Sequence, residues 1–188
     1  MCIAIVVSPG RVLDEEAIDN SWASNRDGGG IAWVDAHGDI KISKGHMNLV
    51  SMKEAYFEAA AENPDSYFLV HFRISTSGGI VAANTHPFMG KECAVIHNGV
   101  LFNPPMEAPR SDTRILIEDA AVGLTQTNVH KKLERLSNLI GSGNKMCFLF
   151  KDNTVAIANE DSGHWADGIW YSNSCYKSAF SFANRRVG

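Results

Sequence analysis

Apolar runs with the short reach of strands recur along the chain at 3–7, 30–34, 40–43, 67–73 and 93–97, then again at 146–150, 154–159, 168–172 and 179–183. Gly, Pro, Asn, Asp and Ser punctuate them, as turn residues do between strands. Helical spacing takes over elsewhere. Residues 14–25 predict a short helix. Ser51 and Glu54 read as a capping box ahead of a helix over 55–62. Ser111 or Asp112 predicts the cap of a helix reaching about 122, and 128–140 predicts another, with Leu133, Leu136 and Ile140 at helical spacing and Gly141 as its stop. Along the chain, two groups of strands flank a pair of central helices. The strands from Met146 onward follow one another closely, as hairpins do, so the pattern predicts layered packing rather than a doubly wound parallel sheet. No repeat or linker interrupts it, and Pro104, Pro105 and Pro109 mark an exposed loop.

At 188 residues and 45% hydrophobic, the chain predicts one well-cored domain over 1–188 and is short for two. Its net charge of −4 lacks the basic footprint that direct nucleic-acid binding needs. Arg185 and Arg186 are the one cationic cluster, at a tail expected to fray. Cys2, Cys93, Cys147 and Cys175 are widely spaced, with no paired metal-ligand pattern, and read as reduced thiols of a cytoplasmic protein with no metal and no cofactor. The apolar start lacks a basic flank and is broken by Ser8-Pro9-Gly10, which argues for a buried strand rather than a signal sequence. No stretch approaches the roughly twenty apolar residues of a membrane span. The aromatic-rich end, with Trp165, Trp170, Tyr171, Tyr176, Phe180 and Phe182, is expected to pack in the core and on sheet faces, as are Trp33 and Phe72.

Candidate chemistry begins at Cys2. Alone, a cysteine in a buried first strand is a small hydrophobe. Removal of Met1 changes that, because one residue then carries a thiol and a free α-amine whose pKa of about 7.7 to 8.0 suits it to take the thiol proton. Two further segments fit such a nucleophile. His71-Phe72-Arg73-Ile74-Ser75-Thr76 leads into Gly78-Gly79 and Asn84-Thr85-His86-Pro87-Phe88, and Arg73 there stands at a strand end, where a guanidinium can grip a carboxylate with two parallel bonds. Val95-Ile96-His97-Asn98-Gly99-Val100 ends another strand in Asn-Gly, where a side-chain amide and a backbone N–H can converge on an oxyanion. Asn-Gly is equally a common hairpin turn, and an isolated Arg is commonly a solvated charge. A papain-like pairing of Cys93 with His97 is the competing enzyme reading, since residues four apart on a strand share a face, although Cys93 reads better as core.

In this order behind Cys2, with Asn25-Arg26-Asp27-Gly28-Gly29-Gly30-Ile31-Ala32-Trp33 before them and Ser111-Asp112-Thr113 after, these motifs resemble the class II glutamine amidotransferases, which are N-terminal nucleophile hydrolases. The resemblance runs to about Leu116. Its wording is most similar to the small stand-alone branch that includes γ-glutamyl hydrolases of the ergothioneine pathway, and less to domains fused to synthases. It implies an α+β fold, a four-layer αββα sandwich of two antiparallel sheets. It implies Cys2 as nucleophile with its α-amine as base, Arg73 on the substrate α-carboxylate with Thr76 beside it, Asn98 and Gly99 as the oxyanion hole, and Asp112 on the α-ammonium. His86 and His97 are expected as hydrogen-bonding wall residues around that site. Two departures bear on substrate contacts: Ser77 stands where synthase-linked members carry His, and Asn25-Arg26-Asp27-Gly28 replaces their His-Arg-Gly.

The function so implied is hydrolysis of the γ-amide of glutamine to glutamate and ammonia through a thioester, with the ammonia used by a partner synthase in trans. A γ-glutamyl amide or peptide hydrolase uses the same chemistry on another leaving group. A catalytically silent binding or regulatory module is the alternative of a different class. A chain that retains Met1 is expected to be inactive.

Overall fold

The computed structural model describes residues 2–76, 78–101, 110–119, 125 and 127–177. The predicted strand at 179–183, the Arg185-Arg186 tail, Phe180, Phe182, the Pro104-Pro105-Pro109 loop and Ser77 lie outside them, as does the helix end near 122.

Among the described residues, ten strands form two sheets, and every neighbouring pair is antiparallel. The larger sheet joins β1 (Ile3–Val7), β2 (Gly29–Val34), β3 (Ile40–His46), β4 (Phe68–Phe72), β9 (His164–Ala166) and β10 (Ile169–Tyr171) in the order β3-β2-β4-β1-β10-β9. The smaller joins β5 (Phe88–Met89), β6 (Cys93–Asn98), β7 (Lys145–Phe150) and β8 (Val155–Ala158) in chain order. Because side chains alternate along a strand, each sheet buries both faces. Ala4, Val6, Ala32 and Leu69 of one sheet meet Ala94, Ile96, Cys147 and Leu149 of the other, with Trp170 filling the space between. Ile3, Ile5, Val70 and Phe72 face outward against α1 (Glu15–Ser24) and α2 (Leu49–Glu62). Val95, Met146 and Phe148 face outward on the other side, against Ile117 of α3 (Asp112–Asp119) and Val129 and Ile140 of α4 (Val129–Ile140). The layers are therefore helix, sheet, sheet, helix, the αββα arrangement expected.

Helix ends are set by side chains. Asp14 accepts from Ala17 N–H at 2.6 Å and starts α1. The capping box expected at Ser51 and Glu54 is not what starts α2: Asn48 caps it, accepting from Ser51 N–H at 2.9 Å, and the helix begins two residues before Ser51. The two strand groups of the sequence do not map onto the two sheets either. The hairpin β9–β10 crosses back to the first sheet, where Ile5 pairs with Tyr171 and Val7 with Ile169. This return brings Ser172 and Asn173 to the beginning of β1. Trp170 and Tyr171 are buried as expected, whereas Trp165 on the edge strand β9 is 45% exposed. None of the described helices is long and apolar enough to cross a membrane.

Candidate active site

Cys2 precedes β1 and continues its alternation, so its side chain leaves the same face as Ala4, toward the space between the sheets. Its Sγ lies 3.4 Å from both Ile74 O and Ile74 N, donating to the one and accepting from the other. Asn173 Nδ2 donates to the Cys2 carbonyl at 2.8 Å. Burial raises the thiol pKa, opposed by the Ile74 contact and the nearby Arg73 charge.

Arg73 follows β4, and its backbone extends the pairing with the β2 side: Arg73 N donates to Gly28 O at 2.8 Å and Asp27 N to Arg73 O at 2.9 Å. Asp27 Oδ2 then accepts from Ser75 N at 2.7 Å, which pins the loop behind the arginine. The glycine run has a steric reason, since a Cβ on Gly30 would run into the His86 carbonyl. The guanidinium is almost fully buried and donates to Gly79 O at 2.9 Å and Ser75 Oγ at 3.2 Å. Burial lowers its pKa, against the opposing pull of Cys2, Asp27 and Asp112; a guanidinium stays charged regardless.

Asp112 opens α3. Its Oδ2 accepts from Leu101 N at 2.9 Å and its Oδ1 from Thr113 N at 2.8 Å. Ser111 Oγ accepts from Arg114 N at 3.3 Å, and Asn84 Oδ1 accepts from Ser111 N at 3.1 Å while its Nδ2 donates to Gly78 O. Asn84 thus ties the Gly78 loop to the start of α3.

Cys2, Arg73, Ile74, Thr76, His86, His97, Gly99 and Asp112 line one pocket. Of the residues expected there, Asn98 alone is not on its wall. It is fully buried at the end of β6, with Nδ2 donating to Ser172 Oγ at 2.7 Å. Gly99 has φ +150°, a conformation that disfavours side chains, and a Cβ there would strike the Asn144 side-chain oxygen.

The histidines are held as hydrogen-bonders. His97 contacts Thr113 Oγ1 and Asn144 Oδ1 at 2.8 Å each, and its backbone N–H donates to His86 Nδ1 at 3.1 Å. Asn144 Nδ2 is committed to Ile140 O, so its oxygen accepts from His97 Nε2. His71 Nε2 donates to the His97 carbonyl at 2.9 Å, and its ring stacks on His86 at a centroid distance of 4.0 Å. Burial is the first cause of a lowered pKa at all three, to about 3 for His71. Neutral buried histidines bind fewer protons folded than unfolded. Stability is therefore fully present above the ordinary histidine pKa of about 6.5 and falls below it, by about 1.4 kcal/mol per pH unit for each such group. Urea midpoints at pH 7.5 and 5.0 should differ accordingly, and equal midpoints would contradict neutral burial.

Cys93 is fully buried in the outer core of the second sheet, with burial pushing its thiol pKa up to about 11. Four residues at about 3.3 Å each separate it from His97 by about 13 Å. That spacing removes the papain-like pairing. Asp27, Ser172 and Asn173 were not anticipated from the sequence. The glycine run pointed toward Asp27, while a polar Ser-Asn pair after an apolar strand carries no comparable signal. Among the described residues no group of three or more His, Cys, Asp or Glu side chains is gathered to hold a metal.

No protein-family profile matches the chain. Over 80 residues it is 32% identical to a glutamine–fructose-6-phosphate aminotransferase (isomerizing) of Idiomarina loihiensis, which is 41% of this chain and 12% of that protein. The chain thus aligns with about an eighth of that relative's length. Its fold matches a structure of glutamine phosphoribosylpyrophosphate amidotransferase from B. subtilis, complexed with ADP and GMP. The TM-score is 0.59 at 16% identity, covering 94% of this chain and 42% of the other. The fold is therefore that of the N-terminal nucleophile amidotransferases. The partial sequence match and the fold match are thus both to glutamine aminotransferase or amidotransferase proteins, each of which this chain spans only in part.

Proposed function

We propose that the chain, as one domain over 1–188, hydrolyses the γ-amide of glutamine. Cys2 attacks the amide carbon, ammonia leaves, and water releases glutamate from the thioester. What supports this reading is the convergence on one pocket of a thiol, a buried cation and a buried anion: Cys2, Arg73 and Asp112. A zwitterionic amino acid matches that pair of charges at its α-carbon, and holding it by both charges presents its side-chain amide carbon to the thiol. Such positioning supplies several kcal/mol of barrier lowering. Arg73 takes the carboxylate with Thr76 at its side, Asp112 takes the ammonium, and Asn98 with Gly99 stabilises the oxyanion. His86 and His97 shape the wall and transfer no proton in the reaction. The ammonia passes to a synthase acting in trans, and the setting is cytoplasmic, in keeping with four free thiols.

Glutamate release by Met1-free protein, measured on glutamine and on a panel of γ-glutamyl amides, tests the reading. Turnover of bulky γ-glutamyl amides with none on glutamine would make the protein a γ-glutamyl hydrolase instead, and no turnover on any of them would refute the assignment. Within an active protein, Arg73→Lys should raise KM for glutamine about tenfold to a hundredfold, the loss of one charge-assisted contact, with a smaller change in kcat. A point charge does not reproduce the bidentate grip. Asp112→Asn should act in the same direction. A fall in kcat with KM unchanged for both would remove the clamp from the mechanism.

A further inference from the structure

The Asn98 carboxamide is buried with only one of its two polar atoms partnered. Nδ2 donates to Ser172 Oγ at 2.7 Å, while Oδ1 is buried with no hydrogen-bond partner. Ser172, itself buried at the end of β10, accepts a second bond at the same oxygen from Ala4 N–H at 2.9 Å and returns its own N–H to Ala4 O at 2.9 Å. Both lone pairs of the hydroxyl are thereby occupied, and among the described residues no bond uses its proton. Two unmet capacities therefore stand side by side, an acceptor on Asn98 and a donor on Ser172.

A half-turn of the carboxamide about its Cβ–Cγ bond meets both. The hydroxyl then donates to Oδ1, keeps its bond from Ala4, and leaves Nδ2 where Oδ1 had been. A hydroxyl serves either orientation because it both donates and accepts. We propose that Ser172 is the positioning residue of the oxyanion hole, the pivot on which Asn98 turns its amide nitrogen toward the oxygen of the carbonyl attacked by Cys2. The inference rests on the glutaminase reading above. Ala4, to which Ser172 is bonded on both sides, lies two residues beyond Cys2 on the same face of β1, so one serine couples the nucleophile's strand to Asn98 on the facing sheet.

The turned orientation costs the free protein something, because a buried N–H without an acceptor is rarer and dearer than a buried carbonyl oxygen without a donor. A developing oxyanion reverses the preference, since a bond to a charged acceptor is about twice as strong as a neutral one. The donor is then supplied most fully in the transition state, where it lowers the barrier rather than tightening substrate binding.

Kinetics of Met1-free protein on glutamine test this. Ser172→Ala should lower kcat about tenfold to a hundredfold with KM within twofold of wild type, and Ser172→Thr should recover most of the loss. In an Asn98→Ala background, Ser172→Ala should cost nothing further, because residues acting as a unit are not additive. If Ser172→Ala lowers the thermal midpoint enough to confuse the result, Ser172→Cys, similar in size and a poor hydrogen-bonder, should reproduce the kcat loss in a folded protein. Losses that add in the double variant, or an unchanged kcat in folded Ser172→Ala or Ser172→Cys, would overturn the role of Ser172 and leave the glutaminase reading intact. A wild-type protein that releases no glutamate would instead refute that reading, and the role of Ser172 in an oxyanion hole with it.

Discussion

Protein freed of Met1 should release glutamate from glutamine roughly 10²- to 10⁴-fold faster than protein that retains it, the range a positioned general base contributes. The thiol needs that base. Burial holds its pKa above the ordinary cysteine value, so it is protonated at neutral pH. The hydrogen bonds of Cys2 Sγ go to the Ile74 backbone rather than to any histidine. His71 is committed to the His97 carbonyl, His86 to the His97 N–H, and His97 to Thr113 and Asn144, with burial keeping all three neutral. An α-amine on Cys2 itself is within reach of the thiol directly or through one water; in a Met1-bearing chain the same nitrogen is an amide. Intact mass and initial rate on the same sample decide the matter, and equal rates from the two forms would end the N-terminal nucleophile mechanism for this chain. Cys2→Ala should abolish turnover in either form without loss of fold.

The pH profile follows from the same assignment. The amine works as a base only when unprotonated, so kcat/KM should fall as pH drops through about 7.7 to 8.0 and level off above it. A limb near 6.5 would point to a histidine, which the lowered pKa values at His71, His86 and His97 oppose.

How far the sequence anticipates this site depends on the distance over which the physics acts. Strands such as Ile3–Val7 and Cys93–Asn98 are legible because burial on both faces makes them continuous apolar runs. Phe88–Met89, two residues long, and His164–Ala166, at a sheet edge with Trp165 exposed, carry too little pattern to stand out. Cys2, Arg73, Gly99 and Asp112 each sit in a local motif whose residue types suit the chemistry. Ser172 and Asn173 do not, because what gives them meaning is the pairing of β10 with β1, some 170 positions away in the chain. Non-local pairing leaves no periodicity. The cap of α2 failed for a smaller reason: Asn48 and Ser51 are both competent caps, and the apolar pair Leu49-Val50 between them extends the helix to the earlier one.

Asn98→Ala should lower kcat by roughly 10²- to 10³-fold with little change in KM, the loss associated with a single oxyanion donor. Its side chain touches neither Arg73 nor Asp112 in the hydrogen bonds it makes, so substrate grip should survive. Gly99→Ala should be as damaging by a different route. The residue holds φ +150°, and the added Cβ would meet Asn144, whose oxygen also fixes His97 and whose nitrogen ties to Ile140 at the end of α4. Relieving that clash rotates the peptide whose N–H we propose as the second oxyanion donor, so kcat should fall while stability also drops. The two variants therefore separate on a denaturation curve: Asn98→Ala removes a side chain whose oxygen was already unpaired, while Gly99→Ala adds strain. A large KM increase with kcat preserved in Asn98→Ala would make Asn98 a turn residue and move the oxyanion hole elsewhere along the pocket wall.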